Sequence, residues 1–125
     1  MQLREHLINY SFTNCINACS DAKIACERII TLNNFSVNKK ISEDNLQKVF
    51  DCVDVCSLTS SMLKRDSINV NAILLNCIDT CTECVKILQA YFKSDSGNAV
   101  ICCDKCIIEC KKTIELLVSK VETAA

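Results

Sequence analysis

The chain has 125 residues, half of them apolar, and a formal net charge of −1. These values predict one folded domain over residues 1–125, and they exclude a disordered chain and a basic nucleic-acid-binding surface. No apolar run is long enough to span a bilayer, so no membrane partner is expected. With one glycine and no proline, the composition is typical of a chain made almost entirely of helix.

The first predicted helix runs from about Gln2 to Asn33, where a stretch rich in turn residues interrupts the helical period. Its thiol and apolar side chains recur at steps of four and three residues, which places them on one face of the helix. This stripe consists of Ile8, Phe12, Cys15, Cys19, Ala22, Cys26 and Ile29.

The second predicted helix follows Ser42 or Asp44, either of which is a suitable N-cap residue. A very short turn then leads to the third helix, for which Asp66 or Ser67 is the predicted N-cap. The stripe of the second helix consists of Val49, Cys52, Cys56, Thr59 and Leu63.

The third and fourth predicted helices are separated by a polar loop at residues 94–98. Ser96 or Asn98 is the predicted N-cap of the fourth helix, which extends to about Val121. The third stripe consists of Val70, Leu74, Cys77, Cys81, Cys84, Leu88 and Tyr91. The fourth stripe consists of Ala99, Cys103, Cys106 and Cys110. Cys102 lies only about 40° from this stripe, at 100° per residue, and is expected to reach the interior edge.

Four amphipathic helices with short connections predict an all-α fold, an antiparallel up-down-up-down four-helix bundle with a Cys-lined core. Alternate helices then run in opposite directions, which sets the height of each side chain along the bundle axis. The cysteines fall in the middle section, between apolar layers at the two ends. One end layer consists of Ile8 or Phe12, Leu63, Leu74 and Leu117, and the other of Ile29, Val49, Leu88 and Ala99.

Cysteines in matching register on four helices are poorly explained as core filler, because Leu or Ile would fill a bundle core better. A disulfide framework is typical of short, loop-rich secreted chains, and iron–sulfur ligands usually lie in irregular loops. Zinc prefers closed four-ligand sites. Cu(I) prefers thiolate ligands and accepts two or three of them, and one Cu(I) per thiolate leaves the core neutral.

The sequence therefore predicts Cu(I) storage or buffering by a protein that is not an enzyme, with multiple Cu(I) ions per chain bound inside a pre-formed bundle. Two alternatives stay open: a zinc-thiolate buffer, and a helical interaction module whose cysteines fill the core. The expected metal ligands are Cys15, Cys19, Cys26, Cys52, Cys56, Cys77, Cys81, Cys84, Cys102, Cys103, Cys106 and Cys110.

The N-terminal residues show no apolar signal segment, so a cytoplasmic location is expected, where thiols stay reduced. His6 and Met62 lie near one end of the bundle and are candidates for copper transfer, although ordinary surface or rim positions are the better interpretation. Ile101 and Ile108 point away from the thiol stripe and are candidates for a subunit contact.

The spacing resembles that of the bacterial copper storage proteins, which are cysteine-rich four-helix bundles. The resemblance covers nearly the whole chain and is carried by Cys15-x3-Cys19-x6-Cys26, Cys52-x3-Cys56 followed by Asp66-Ser67, Cys77-x3-Cys81-x2-Cys84 and Cys103-x2-Cys106-x3-Cys110. It implies a Cu(I)-filled bundle, often a homotetramer, of the cytosolic branch that lacks an export signal. The chain departs from that pattern where its stripe carries Ala22, Leu74 and Ala99.

Overall fold

A computed structural model of the chain describes residues 3–37, 41–91 and 97–124. Over these ranges the backbone forms helices and no strand, so the predicted all-α class is confirmed. The helices are α1 Leu3–Phe35, α2 Glu43–Lys64, α3 Val70–Tyr91 and α4 Gly97–Ala124. Gln2 and Ser96, the predicted start of the first helix and one predicted cap of the fourth, lie outside the described residues.

The four helices pack as a square, in which α1 and α3 each contact both α2 and α4. Contacts between α1 and α4 join early residues of one helix to late residues of the other, as in the pairs Cys15–Cys110 and Cys19–Cys106. Likewise Asn45, near the start of α2, donates a hydrogen bond to Tyr91, the last residue of α3. Neighbouring helices therefore run in opposite directions, as a four-helix bundle with short connections requires.

The N-terminus of α2 agrees with the prediction. Ser42 has an extended backbone, and its hydroxyl accepts a hydrogen bond of 3.3 Å from the Asn45 N–H. Glu43 and Asp44 occupy the first turn, where their negative charge interacts favourably with the helix dipole. Ser42 is thus the N-cap, and Asp44 lies inside the helix.

The helix α1 ends at Phe35, two residues beyond the predicted end at about Asn33. Asn33 is almost fully buried, and its side-chain oxygen accepts a 3.3 Å hydrogen bond from the Ile41 N–H. A residue type common in turns serves here to hold the following loop against the end of the helix.

Of the two predicted N-caps of α3, Asp66 is wrong. Asp66 has a φ of 50°, and its N–H donates to the Leu63 carbonyl, while the Ser67 N–H donates to the Met62 carbonyl. This pair of bonds is a Schellman motif, so Asp66 ends α2 instead of starting α3. Ser67 makes the hydrogen bonds of an N-cap, since its hydroxyl accepts from the Asn69 N–H and its carbonyl from the Val70 N–H, and the regular turns of α3 begin at Val70.

The predicted cap Asn98 is wrong for a similar reason. The fourth helix already begins at Gly97, so Asn98 lies within its first turn. The helix also continues to Ala124, beyond the predicted end at Val121.

Replacing Asp66 with glycine should stabilise the protein by about 0.5–1 kcal/mol, because glycine adopts a positive φ without a Cβ clash. The free energy of unfolding in urea checks this. Ser67→Gly is the matched control, because Ser67 does not have a positive φ and its hydroxyl makes a hydrogen bond. The control should be destabilised, and an Asp66→Gly variant no more stable than the wild type would contradict the prediction.

The apolar end layers differ from each other. The lower layer, at the end opposite the α2–α3 turn, is as predicted, since its members are at most 2% exposed: Ile29, Val49, Leu88 and Ala99. At the upper end Leu63 and Leu74 are buried, and hydroxyl groups are buried in this upper layer as well. The Ser11 and Thr113 hydroxyls, about one turn above Cys15 and Cys110, are 2.7 Å apart.

The hydroxyls of this upper layer are satisfied internally. The Thr113 hydroxyl donates to the Glu109 carbonyl, so Ser11 must donate to Thr113. Thr59, which is fully buried, donates to the Val55 carbonyl.

Within the described residues, none of the helices combines the length and hydropathy that crossing a bilayer needs.

Candidate metal centre

Helical steps of four and three residues bring all but one of the cysteines into the interior of the bundle. These thiols are free, and each is 0% exposed. They are Cys15, Cys19, Cys26, Cys52, Cys56, Cys77, Cys81, Cys84, Cys103, Cys106 and Cys110. We call this set the thiol network.

Three groups of four sulfurs are found among the described residues, and within each group the Sγ atoms lie within 4.8 Å of one another. The upper group consists of Cys19, Cys77, Cys106 and Cys110. The middle group consists of Cys56, Cys77, Cys81 and Cys106. The lower group consists of Cys26, Cys52, Cys84 and Cys103. Cys77 and Cys106 therefore belong to two groups at once, and each group draws on at least three helices.

The spacing of the sulfurs suits metal coordination. In the lower group the Cys26 Sγ lies 3.6 Å from Cys103, 3.8 Å from Cys84 and 4.0 Å from Cys52. A metal–sulfur bond of about 2.3 Å places the sulfurs of a three- or four-coordinate ion about 3.8–4.0 Å apart. The sulfurs of the lower group thus lie near the separations that one shared ion requires.

Cys81 connects the groups into one continuous set. Its Sγ lies 3.7 Å from Cys52 in the lower group, 3.7 Å from Cys56 and 4.0 Å from Cys77. Cys15 belongs to none of the groups but lies 3.5 Å from Cys110. Every sulfur of the thiol network therefore has a neighbour close enough to share a metal ion with it.

Cys102 lies at the edge of the interior, as predicted, and is only partly buried. Its thiol donates a long hydrogen bond of 3.9 Å to the Asn98 side chain, in a surface groove between α1 and α4 that also contains Asp21 and Arg28. Burial raises the pKa of this thiol, and the nearby Asp21 carboxylate adds to the effect. It is the one predicted ligand that the fold leaves outside the thiol network.

Hydrogen bonds among the thiols decide which of them keep their protons. The interaction with Cys103 is the largest cause that raises the pKa of Cys26, Cys81 and Cys84, and burial adds to it. The pKa of Cys103 itself is lowered to about 6, chiefly by its hydrogen bond with Cys26. A metal entering this region must therefore displace protons from thiols that hold them firmly.

The metal-free protein should lose stability when the pH rises above about 9. The unfolded chain then releases the protons of Cys26, Cys81 and Cys84, whereas the folded chain retains them because their pKa values are raised from 9.0. Their contribution is fully present below pH 9 and should decline above it by about 1.4 kcal/mol per thiol per pH unit. Urea unfolding of the reduced protein across this range measures the slope. A variant with all three changed to alanine should show a flatter slope, and equal slopes would refute the assignment.

Two residues proposed from the sequence for copper transfer lie outside the thiol network. His6 is exposed near the start of α1. Met62 is buried, and its carbonyl accepts the hydrogen bond that ends α2.

The sequence interpretation missed the hydroxyl pair above the thiols, although Ser11 lies four residues before Cys15 and Thr113 three after Cys110. The same periodicity could have found both.

A family model described as copper storage protein matches residues 5–115 of the chain. The matched region contains all of the cysteines and reaches into all four helices. No curated protein sequence matches the chain. Because the family model covers most of the chain and includes every cysteine of the thiol network, this protein belongs to the copper storage protein family.

Proposed function

We propose that this protein stores Cu(I) by binding many ions to the cysteine thiolates inside its pre-formed helical bundle. The observation that carries the proposal is the thiol network, in which eleven fully buried sulfurs form one connected set. Its eleven cysteines are the proposed ligands, and Cys102 is proposed as a twelfth, peripheral ligand. Storage in such a core needs no catalytic group, so the proposed role is not enzymatic.

Charge balance favours Cu(I) over zinc. Three Zn²⁺ ions, one in each group, would bring six positive charges to the ten different thiolates of these groups, leaving four negative charges buried. An uncompensated buried charge is strongly unfavourable. One Cu(I) per thiolate leaves the core neutral, which implies roughly eleven ions per chain.

The shared ligands favour the same metal. Cys77 and Cys106 each serve two groups, so neighbouring ions must be bridged by common thiolates. Structural zinc sites are usually closed sets of four ligands. Cu(I) is softer than zinc and can be coordinated by two or three sulfurs. It can therefore bind at many places in a connected set of thiols that is not divided into closed groups of four.

The remaining features of the proposal concern the whole molecule. We propose a single domain over residues 1–125 that works in the cytoplasm, where thiols remain reduced. A homotetramer is proposed from the resemblance to the bacterial family. Ile101 and Ile108, both more than half exposed on the outer face of α4, are candidate contact residues.

Titration of the fully reduced protein with Cu(I), in competition with a strong chromophoric Cu(I) chelator, tests this function. We expect roughly ten or more ions to be bound per chain. Saturation at one or two ions would refute storage. A zinc buffer would instead retain Zn(II) during the same titration, and a core of filler cysteines would keep its metal capacity unchanged when Cys77 and Cys81 are replaced with alanine.

A further inference from the structure

Among the described residues, the cavity at the upper end of the bundle has no cysteine in its lining. The lower end has a layer that includes Val49 and Leu88, both fully buried. At the upper end Leu63 and Leu74 are buried, and the hydroxyls of Ser11 and Thr113 form a hydrogen-bonded pair above Cys15 and Cys110. An ion entering at either end would have to displace these packed layers.

The seam between α1 and α2 is different at mid-height. A cavity of about 180 Å³ opens there from the surface, and Cys56 of the middle group is one of its lining residues. The other lining residues are small or cationic: Ser20, Lys23, Ser57, Ser60, Ser61 and Lys64. We call this cavity the serine groove.

Apolar side chains replace the serines of this seam above and below the serine groove. One turn above Ser20, Ile16 packs against the core and lines a cavity of about 610 Å³ that contains no cysteine; one turn below Ser57, Val53 is buried. At the groove itself these positions carry serine, whose hydroxyl group is short and forms hydrogen bonds with water. Cys56 itself is fully buried, and at this height only the serines and the two flexible lysine side chains line the space between it and solvent.

The charges at the serine groove indicate what approaches it. Lys23 and Lys64 flank the opening, and Lys23 is 3.6 Å from Glu27, which balances part of its charge. A net positive rim repels a bare cation and attracts an anion. A Cu(I) ion bound by two small thiolates carries one negative charge. Such a complex is attracted by the positive rim and still brings copper to the opening.

We propose that Cu(I) enters and leaves the thiol network through the serine groove, with Cys56 as the first acceptor, delivered from an anionic complex with small thiols. This inference rests on the proposed storage function. In the exchange, a bond forms between copper and the Cys56 sulfur and one bond to a carrier sulfur breaks. The Cys56 proton leaves with the departing carrier thiol, and copper remains Cu(I) throughout.

The thiol network connects this entrance to the whole core. The Cys56 sulfur lies 3.7 Å from Cys81, which in turn lies 3.7 Å from Cys52 and 4.0 Å from Cys77. Copper that reaches Cys56 can therefore move toward both ends by exchanging one sulfur neighbour for the next. A single side entrance suffices to fill the core.

Filling the serine groove tests the proposal. In a Ser57→Leu/Ser60→Leu variant, uptake of Cu(I) from its glutathione complex, followed by thiolate absorbance in stopped flow, should slow by about tenfold or more, because entry then needs a local opening of the helices. The final amount of copper bound should equal that of the wild type. Thr80→Leu is the matched control, since Thr80 lines a similar groove of about 210 Å³ between α2 and α3 in which no cysteine takes part.

If the Ser57→Leu/Ser60→Leu variant takes up copper at the wild-type rate, the serine groove is not the route. The same conclusion follows if Thr80→Leu slows uptake as much as the double variant does. A second variant that leaves the core untouched, Lys23→Glu/Lys64→Glu, should also slow uptake at low salt and match the wild type at high salt. Rates independent of this charge reversal would contradict delivery as an anion. Failure of the storage function itself would be distinguishable, because the wild type would then bind only one or two ions at equilibrium.

Discussion

Replacing Cys77 and Cys106 with alanine should cost the protein roughly four or more of its bound Cu(I) ions, about twice the number of thiols removed. These two residues belong to both the upper and the middle group. Their loss reduces each of those groups to two sulfurs and breaks the 4.0 Å link between Cys77 and Cys81. Titration against a competing chelator measures the capacity.

The matched control replaces Cys15 and Cys102, which belong to none of the three groups. It removes the same number of thiols, so charge balance alone predicts a loss of about two ions. Helix content by circular dichroism should be unchanged in both variants, because cysteine to alanine removes one atom from each site. Equal losses in the two variants would show that the shared positions have no special role.

Loading with copper should raise the melting temperature by tens of degrees while leaving the helix content unchanged. Each ion at a concentration about a thousand-fold above its dissociation constant adds about 4 kcal/mol. A few such ions match the whole stability of an ordinary domain, about 5–15 kcal/mol. Thermal unfolding followed by far-ultraviolet circular dichroism, before and after loading, measures the change.

Removal of the copper by a chelator should return the melting temperature to its original value and preserve the helices. We expect apolar packing to hold the bundle together after the metal has left, since residues such as Leu74 and Leu88 are fully buried by protein atoms. Loss of the helical circular dichroism signal after removal of copper would contradict this prediction. It would show that the fold depends on metal, as that of zinc fingers does.

The thiol stripe was predictable from the sequence because helical periodicity is a local property. Cys15, Cys19 and Cys26 share a face whatever the rest of the chain does. Their partners were not predictable residue by residue, since Cys15 meets Cys110, 95 positions away. That pairing depends on the lengths of all the helices between them and on the exact heights at which they pack.

Helix ends were harder to predict because the same residue types perform several tasks. Asp66 looks like an N-cap, yet it completes the C-terminus of α2, and nothing local distinguishes the two roles. Asn33 looks like a turn residue and is instead buried against Ile41. The serine groove was missed for a related reason, since serines on the flank of a helix resemble an ordinary solvated face.

The close approach of the sulfurs, such as the 3.5 Å between Cys19 and Cys106, has a consequence for redox chemistry. Two adjacent thiols can give two electrons and two protons to an oxidant and become a disulfide. Every member of the thiol network lies beside another thiol, so the reduced bundle without copper would be a store of reducing equivalents. Copper bound to the same sulfurs, as proposed, would suppress the reaction. The thiols are therefore most easily oxidised just after copper release. How long they stay reduced depends on how quickly the protein binds copper again.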